Sequence, residues 1–499
     1  MAIATVAARV AGFARIVVLT AALGLGTRLL DTYNLANTLP NAVFELVVGG
    51  TMASVVVPLL AHAAVTEADG GIVYAQRLLS CMVYGLSAIT VAAVLAAPWI
   101  VHVYAPGFSE PQRALAVVLS WYFLPQILFY GVAATAGAVL NMRGRFAAPA
   151  WAPLVNSLVV IAVAGVYIGV GGTTRIEDLT RGHLILLALG TTAGVAAQTA
   201  LVVAALARSR FPLRLHLDPR GIAIRRIGRL AAWVLPSVLA AQILLAAATR
   251  AASLSGPGGI TVYQNAFAIF QVPVAVIAMS VMTALLPRLS RNAARHDHAR
   301  VIGDLSLAVR IAAVALAPAA AGMLVFGRPV AALLFGHGNS AGASVATLGV
   351  VVAAFGLALL PFAAYTILQR GFYALQDTRS PALITATVSV LGIAGCVAAS
   401  RLLPSADIVP GVAVSYAAAY TIGLLLTGIV LRRRLGRIDG RQIARTHAKV
   451  LLAAALAGLG AALATSVMPV VLAGLTGLLL YLAAAAALRL PEFRLLRPI

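Results

Sequence analysis

Apolar runs of about twenty residues or more follow one another from end to end of this chain. Fourteen can be marked: 3–25, 34–61, 78–104, 114–140, 149–170, 183–207, 230–253, 260–287, 302–327, 343–369, 381–403, 409–431, 450–468 and 470–488. A transmembrane helix needs about 20 predominantly apolar residues, so each run can cross a bilayer. Composition agrees: the chain is 62% hydrophobic and 10% charged. A soluble domain is roughly half apolar and about a quarter charged. The expected fold is all-α, a polytopic membrane protein with about 14 transmembrane helices.

The charge is lopsided, with 36 Lys+Arg against 14 Asp+Glu and a formal net charge of +22. In a soluble protein such an excess points to nucleic acid. No RNP-like motif, zinc-finger spacing or aromatic-basic interleaving accompanies it, and the charges sit between the apolar runs, so no nucleic-acid partner is expected. Alternate connections, with the tail after residue 488, hold 26 of the basic residues. The connections on the other side hold six: Arg28, Arg113, Arg175, Arg181, Arg328 and Arg401. The positive-inside rule then places the 26-residue side, with both termini, in the cytoplasm. Four arginines remain within or near the ends of spans: Arg9, Arg15, Arg250 and Arg310. Lys449 is the only lysine, which with heavy alanine usage suggests a GC-rich genome. Cys81 and Cys396 lie inside apolar runs and read as core residues, with no disulfide framework or metal site. The N-terminus lacks a basic region followed by a small-residue cleavage site and reads as the first span.

Three landmarks repeat at nearly one offset. Pro40 of "NTLPNAVF" matches Pro273 of "FQVPVAVI", 233 residues on. Pro58 matches Pro287 at 229, and Pro149 matches Pro381 at 232. An even number of spans per repeat demands a parallel repeat, related by an axis along the membrane normal. The expected organisation is a six-span lobe over 1–207, a basic cytoplasmic loop over 208–229, and a second six-span lobe over 230–431. A basic loop over 432–449 and a final helix pair with a short tail over 450–499 complete it. Two such lobes describe a transporter with its site between them.

The chemistry rests on charges placed where lipid makes them expensive. A charged side chain at the bilayer centre costs between about 3 and about 15 kcal/mol. Arg9 and Arg15 lie six residues apart, about 9 Å along a helix and roughly 120° around it, so both can border one wide cavity. Arg9 is also early enough to snorkel to the interface; Arg15 has apolar sequence on both sides. Asp31 is either an acidic partner or the N-cap of the second span. Glu45, deep in "LPNAVFELVVGG", is expected to face the interior as an arginine partner or a titratable group. Arg250 is the second lobe's counterpart, or an interfacial arginine near the outer surface. Pro40, Pro273 and the adjacent Asn41 predict bends or broken hydrogen bonding in the second and eighth spans. A cavity lined by guanidiniums implies an anionic ligand, phosphate or pyrophosphate first. No GxxxxGK[ST] motif, catalytic triad, paired-carboxylate site or cofactor motif is present, so no enzyme is expected. The "HDH" at 296–298 sits in a basic loop and reads as solvated.

These motifs resemble the MurJ/MviN family, the lipid II flippases of the multidrug/oligosaccharidyl-lipid/polysaccharide exporter superfamily. "RVAGFAR" is similar to the family's first-span R-x-x-G-x-x-R, and "TLPNAVFELVVGGTMASVVVPLL" to its second span. "VPVAVIAMSVMTALLPRLSR" and "RGFYALQDTRSPA" resemble its eighth span and the loop before its eleventh. The wording "FELVVGG" and the arginine bias resemble actinobacterial members. The resemblance implies two six-helix lobes in a V, with a final helix pair forming a groove for a lipid tail. It implies movement of lipid II, the undecaprenyl-pyrophosphate-linked peptidoglycan precursor, to the outer leaflet by alternating access. Membrane lipids and cell-wall synthesis proteins are its expected further partners. The family's first-span arginines fall on Arg9 and Arg15, which would hold the pyrophosphate, and its acid before the second span falls on Asp31. Two positions depart from the pattern: Phe44 and Glu45 stand where many relatives have an arginine after LPN, and Ala268 where they have one before the eighth-span proline. Arg250 would then supply the second lobe's positive charge. Other readings of the chain are an exporter of another polyprenyl-linked saccharide or of drugs, and a non-transporting scaffold for wall synthesis. A drug or cation exporter predicts acids rather than arginines at the cavity, and a scaffold needs no buried charge.

Overall fold

The computed structural model describes residues 2–49, 57–67, 69–212, 214, 234–340, 342–490 and 492, and among these there is no strand. Residues 50–56 of the expected second span, and most of the basic loop expected at 208–229, lie outside the described residues. Among the described residues, thirteen helical stretches are long and apolar enough to cross a membrane. The remaining expected span, 34–61, takes in α-helix to Phe44, a π-helical segment Glu45–Gly49 and helix again from Val57, and its residues 50–56 lie outside the described residues. The chain divides into two compact units, residues 1–242 with 337–341, and residues 243–336 with 342–499.

The first unit contains α1 (Ala2–Leu23), α2 (Arg28–Phe44), α3 (Val57–Thr66), α4 (Ile72–Tyr104), α5 (Glu110–Phe123), α6 (Gln126–Met142), α7 (Ala147–Gly169) and α8 (Arg181–Arg208). Its core joins Leu23, Tyr33, Phe123, Tyr167 and Leu187, from α1, α2, α5, α7 and α8. The run expected as one span over 114–140 is two helices, because Pro125, with no amide hydrogen, separates α5 from α6. Residues 337–340 pack into this unit as a short strap over the end of α1. The Asn339 amide donates to the Ala21 carbonyl at 3.0 Å and its side-chain nitrogen to the Ala22 carbonyl at 2.9 Å. Gly338, at φ +64°, runs so close to α1 that a Cβ there would meet the Ala21 carbonyl at 2.5 Å.

The second unit takes in the C-terminal part of α9 (Val234–Ser253). It continues through α10 (Gly259–Pro273), α11 (Met279–Ala294), α12 (His298–Phe335), α13 (Gly342–Ala374), α14 (Arg379–Leu402), α15 (Ile408–Leu435), α16 (Gly440–Ala464) and α17 (Val470–Ala487). At its centre, rings from α10, α13 and α15 cluster: Phe270 and Phe355 lie tilted at 5.3 Å, Phe362 and Tyr420 edge to face at 4.9 Å, and Tyr416 and Tyr420 tilted at 4.5 Å. Edge-to-face pairs add about 0.5–1.5 kcal/mol each beyond burial.

The last two helices are tied to α12 by polar bonds as well as packing. The Tyr481 hydroxyl donates to the Val314 carbonyl at 2.7 Å, and the Lys449 ammonium to the Leu488 carbonyl at 2.7 Å. Arg310 of α12 forms an ion pair with Glu492, which is 1% exposed and accepts a further hydrogen bond from Thr446 at 3.2 Å. That pair accounts for one of the four arginines the sequence places in or near spans.

The bends expected at Pro40 and Pro273 are present as breaks in hydrogen-bond register. A π-helical segment, Glu45–Gly49, follows α2, and a second, Val274–Ala278, follows α10. The second begins directly after Pro273, which removes an i→i−4 bond that the wider i→i+5 pattern accommodates, whereas the first begins five residues after Pro40, beyond continued α-helix. The two segments begin 229 residues apart, the offset that separates Pro58 from Pro287.

Candidate functional site

In the first unit, the buried positions of α1 include Ala11, Leu19 and Ala22. Arg15 lies four residues from both Ala11 and Leu19, on the stripe that faces the protein, and is half-buried. Arg9 falls off that stripe and is exposed.

Arg15 sits close enough to Tyr33 of α2 and Tyr130 of α6 to act electrostatically on both. The Tyr33 hydroxyl shares a 2.8 Å hydrogen bond with the Thr191 hydroxyl of α8, and its ring meets Phe123 edge-on at 5.6 Å. Tyr130 donates to the Gln126 Oε1 at 3.3 Å and packs against Phe44 at 5.8 Å. Gln126 in turn donates to the Thr192 hydroxyl at 3.0 Å, and Thr192 to the Tyr122 carbonyl at 2.9 Å. The two tyrosines within electrostatic reach of the guanidinium thus belong to a network of hydroxyls and amides. Among the described residues, no carboxylate forms an ion pair with Arg15. A guanidinium has five donors in a planar fork, and one held inside a span without a carboxylate suits an incoming anion.

The other expected residues are spread along the same unit, except one. Asp31 is 1% exposed in the first turn of α2, but Thr27 is the N-cap, its hydroxyl accepting the Leu30 amide at 3.1 Å. The capping alternative for Asp31 is thereby removed. Asn41 and Glu45 are exposed on the surface of the unit, and Glu45 forms no ion pair among the described residues. Arg250 belongs to the second unit, exposed in the last turn of α9. Tyr33, Gln126, Tyr130, Thr191 and Thr192 were not singled out from the sequence; their only signal was polarity inside apolar runs.

The second unit carries an apolar groove of about 360 Å³ between α12, α16 and α17. Pro318, Phe326 and Tyr481 line it with small residues, among them Gly458, Gly474 and Gly477. Glycines there let the helices stand close while leaving the groove floor open. Its walls suit a hydrocarbon chain and nothing charged.

Membrane-length helices in two units, each with a π-helical segment at a matching position, define a polytopic membrane protein of transporter fold. The solved structure described as "Lipid II flippase MurJ, inward closed conformation" shares that fold, with a TM-score of 0.80, 19% identity, and coverage of 97% of this chain and 98% of that one. An inward-facing multidrug resistance MATE family transporter of the MOP superfamily has a TM-score of 0.71 at 14% identity, over 86% of this chain and 94% of its own.

The family described as "Lipid II flippase MurJ" matches residues 19–481, and the chain belongs to it. Its relatives include "Lipid II flippase MurJ" of Burkholderia cenocepacia, 26% identical over 78% of this chain and 74% of the relative. "Probable lipid II flippase MurJ" of Rhizobium meliloti is 30% identical over 78% and 71%, and that of Rhizobium tropici 28% over 91% and 84%. The protein is thus a multi-pass protein of a bacterial inner-membrane transporter family, and the family is not one of enzymes. The family match begins C-terminal to Arg9 and Arg15.

Proposed function

We propose that this protein carries lipid II from the cytoplasmic to the outer leaflet by alternating access, with both termini in the cytoplasm. The observation that carries the reading is Arg15, half-buried on the packed stripe of α1, within electrostatic reach of two tyrosines and with no carboxylate ion pair among the described residues. Arg15 receives the pyrophosphate, with Arg9 at the mouth of the path and Asp31, Asn41 and Glu45 on the segment that follows. Arg250 contributes the second lobe's charge. The lobes span 1–207 and 230–431, and the final pair, 450–499, supplies the groove in which the polyprenyl tail rides. Orientation is supported by the 26-to-6 division of basic residues between the two sides. Cell-wall synthesis proteins are the partners that would consume the delivered precursor.

Complementation tests the reading. Cells depleted of their own lipid II flippase, given this chain, should regain labelled lipid II at the outer leaflet. The Arg15→Ala variant, present in the membrane at equal level, should lose at least about tenfold of that signal, the loss of one charge-assisted anion contact of roughly 1.5–3 kcal/mol. Equal transport by the two proteins removes Arg15 from the site. Failure of both, with both in the membrane, removes lipid II as the substrate.

A further inference from the structure

We infer that the corner between α11 and α12 is a binding site for a phosphate-bearing anion, separate from the Arg15 site and from the apolar groove. Arg288, Arg291, Asn292, Arg295 and Arg300 line a cavity of about 460 Å³ there. Positions 288, 291, 292 and 295 follow one another at helical spacing, so α11 presents them on one face. The neighbouring face carries Met282, Leu285, Leu289 and Ala293, all buried, which fixes the helix's rotation and keeps the arginines out of the packed interface.

The corner is built, not loose. The Asp297 amide donates to the Asn292 carbonyl at 3.0 Å, and His296 takes the left-handed conformation at φ +55° that closes the helix end. Asp297 caps α12 by accepting the Arg300 amide at 3.0 Å. Asp304, on α12 and nearly buried, accepts from Arg288 at 3.1 Å and from the Asn292 amide nitrogen at 2.8 Å. Asp297 pairs with Arg300 at 3.2 Å. Two acids therefore hold two of the arginines in place, while Arg291 and Arg295 form no ion pair among the described residues.

Orienting a span requires positive charge near its end, but not convergence. A second dense basic run among the described residues, Arg432 to Arg434, occupies consecutive positions that point around the helix, and Arg434 is taken by Asp377 at 2.9 Å. Basic pockets at the polar ends of transmembrane helices match phosphate head groups, and planar guanidiniums match phosphate oxygens in pairs. The ligand chemistry is a phosphate group, carried either by an anionic lipid head group or by free phosphate.

The test uses the full chain in nanodiscs without lipid II. In phosphatidylcholine discs, titration with inorganic phosphate reads a free-phosphate source; in discs containing phosphatidylglycerol, retained lipid counted by native mass spectrometry reads a head-group source. Binding in at least one arm should weaken at least about tenfold in Arg291→Gln/Arg295→Gln, as charge-assisted guanidinium–phosphate contacts are lost. The control Arg432→Gln/Arg433→Gln removes the same charge and should leave binding unchanged. Binding in neither arm, or equal loss in both double variants, overturns the site. Transport of lipid II plays no part in either readout, so failure here leaves the flippase reading intact.

Discussion

Asp377, in the loop between α13 and α14, shows how one side chain sets the behaviour of a turn. Partial burial works against its ionisation, but the Ser380 hydroxyl and amide, the neighbouring Arg434 and the Arg379 amide together hold the carboxyl below its ordinary value of 3.8. A depressed native value means the stabilisation is complete above the unfolded value and fades as pH falls through the native one. Asp377→Asn should therefore lower the melting temperature near neutrality and flatten its decline below about pH 4. A thermal melt of both proteins against pH reads this directly; parallel acid limbs would show that the turn does not depend on the charge. The residues that carry the candidate site were unevenly legible at this scale. Arg15 stood out because a guanidinium within apolar sequence has few explanations. Tyr33, Gln126 and Thr191 did not, because neutral polar groups are common in spans and most bond their own helix. Thr32, Thr38, Thr135 and Thr199 all donate to the carbonyl four residues back. Only a three-dimensional neighbour separates Thr191, which bonds Tyr33, from those.

Among the helices, hydropathy marked the spans well because lipid imposes it along the whole length of each, and thirteen membrane-length stretches stand where apolar runs occur. Breaks inside runs were less visible. Pro40 and Pro273 announced theirs, whereas Pro125 split an expected span without any change in apolarity around it. The groove between α12, α16 and α17 was invisible to hydropathy, since a groove wall and a packed interface use the same small residues. Gly474 offers a clean probe, because an added Cβ there meets nothing within 4 Å. Gly474→Leu should keep or slightly raise stability, as leaving glycine for leucine gains up to about 1 kcal/mol of helix propensity. It should also cut transport severalfold by filling the space meant for a lipid tail. Unchanged transport in the variant would remove the groove from the path. By contrast Gly477, whose Cβ would meet Ala461 at 2.8 Å, holds the helix pair together and is the wrong place to ask.

Across the whole molecule, the parallel repeat was legible as three proline landmarks at offsets from 229 to 233, and the two π segments at 229 add a structural counterpart. The anchoring of the final helices was not legible, because it depends on Arg310 meeting a glutamate 182 residues later. Removing one partner of a buried pair leaves an uncompensated charge and costs about 3–5 kcal/mol. Glu492→Ala should accordingly lower the melting temperature by several degrees, and Arg310→Met/Glu492→Met should recover most of it. An unchanged melting temperature in Glu492→Ala would mean that the tail is held by packing alone. The bond from Lys449 to the Leu488 carbonyl lies in the same corner, and Lys449 is the chain's sole lysine. Any acylating reagent aimed at side-chain amines thus has one address in 499 residues, and that address is engaged while α17 is docked. A single covalent label, without any engineered cysteine, turns the seating of the terminal helices into a quantity that can be timed.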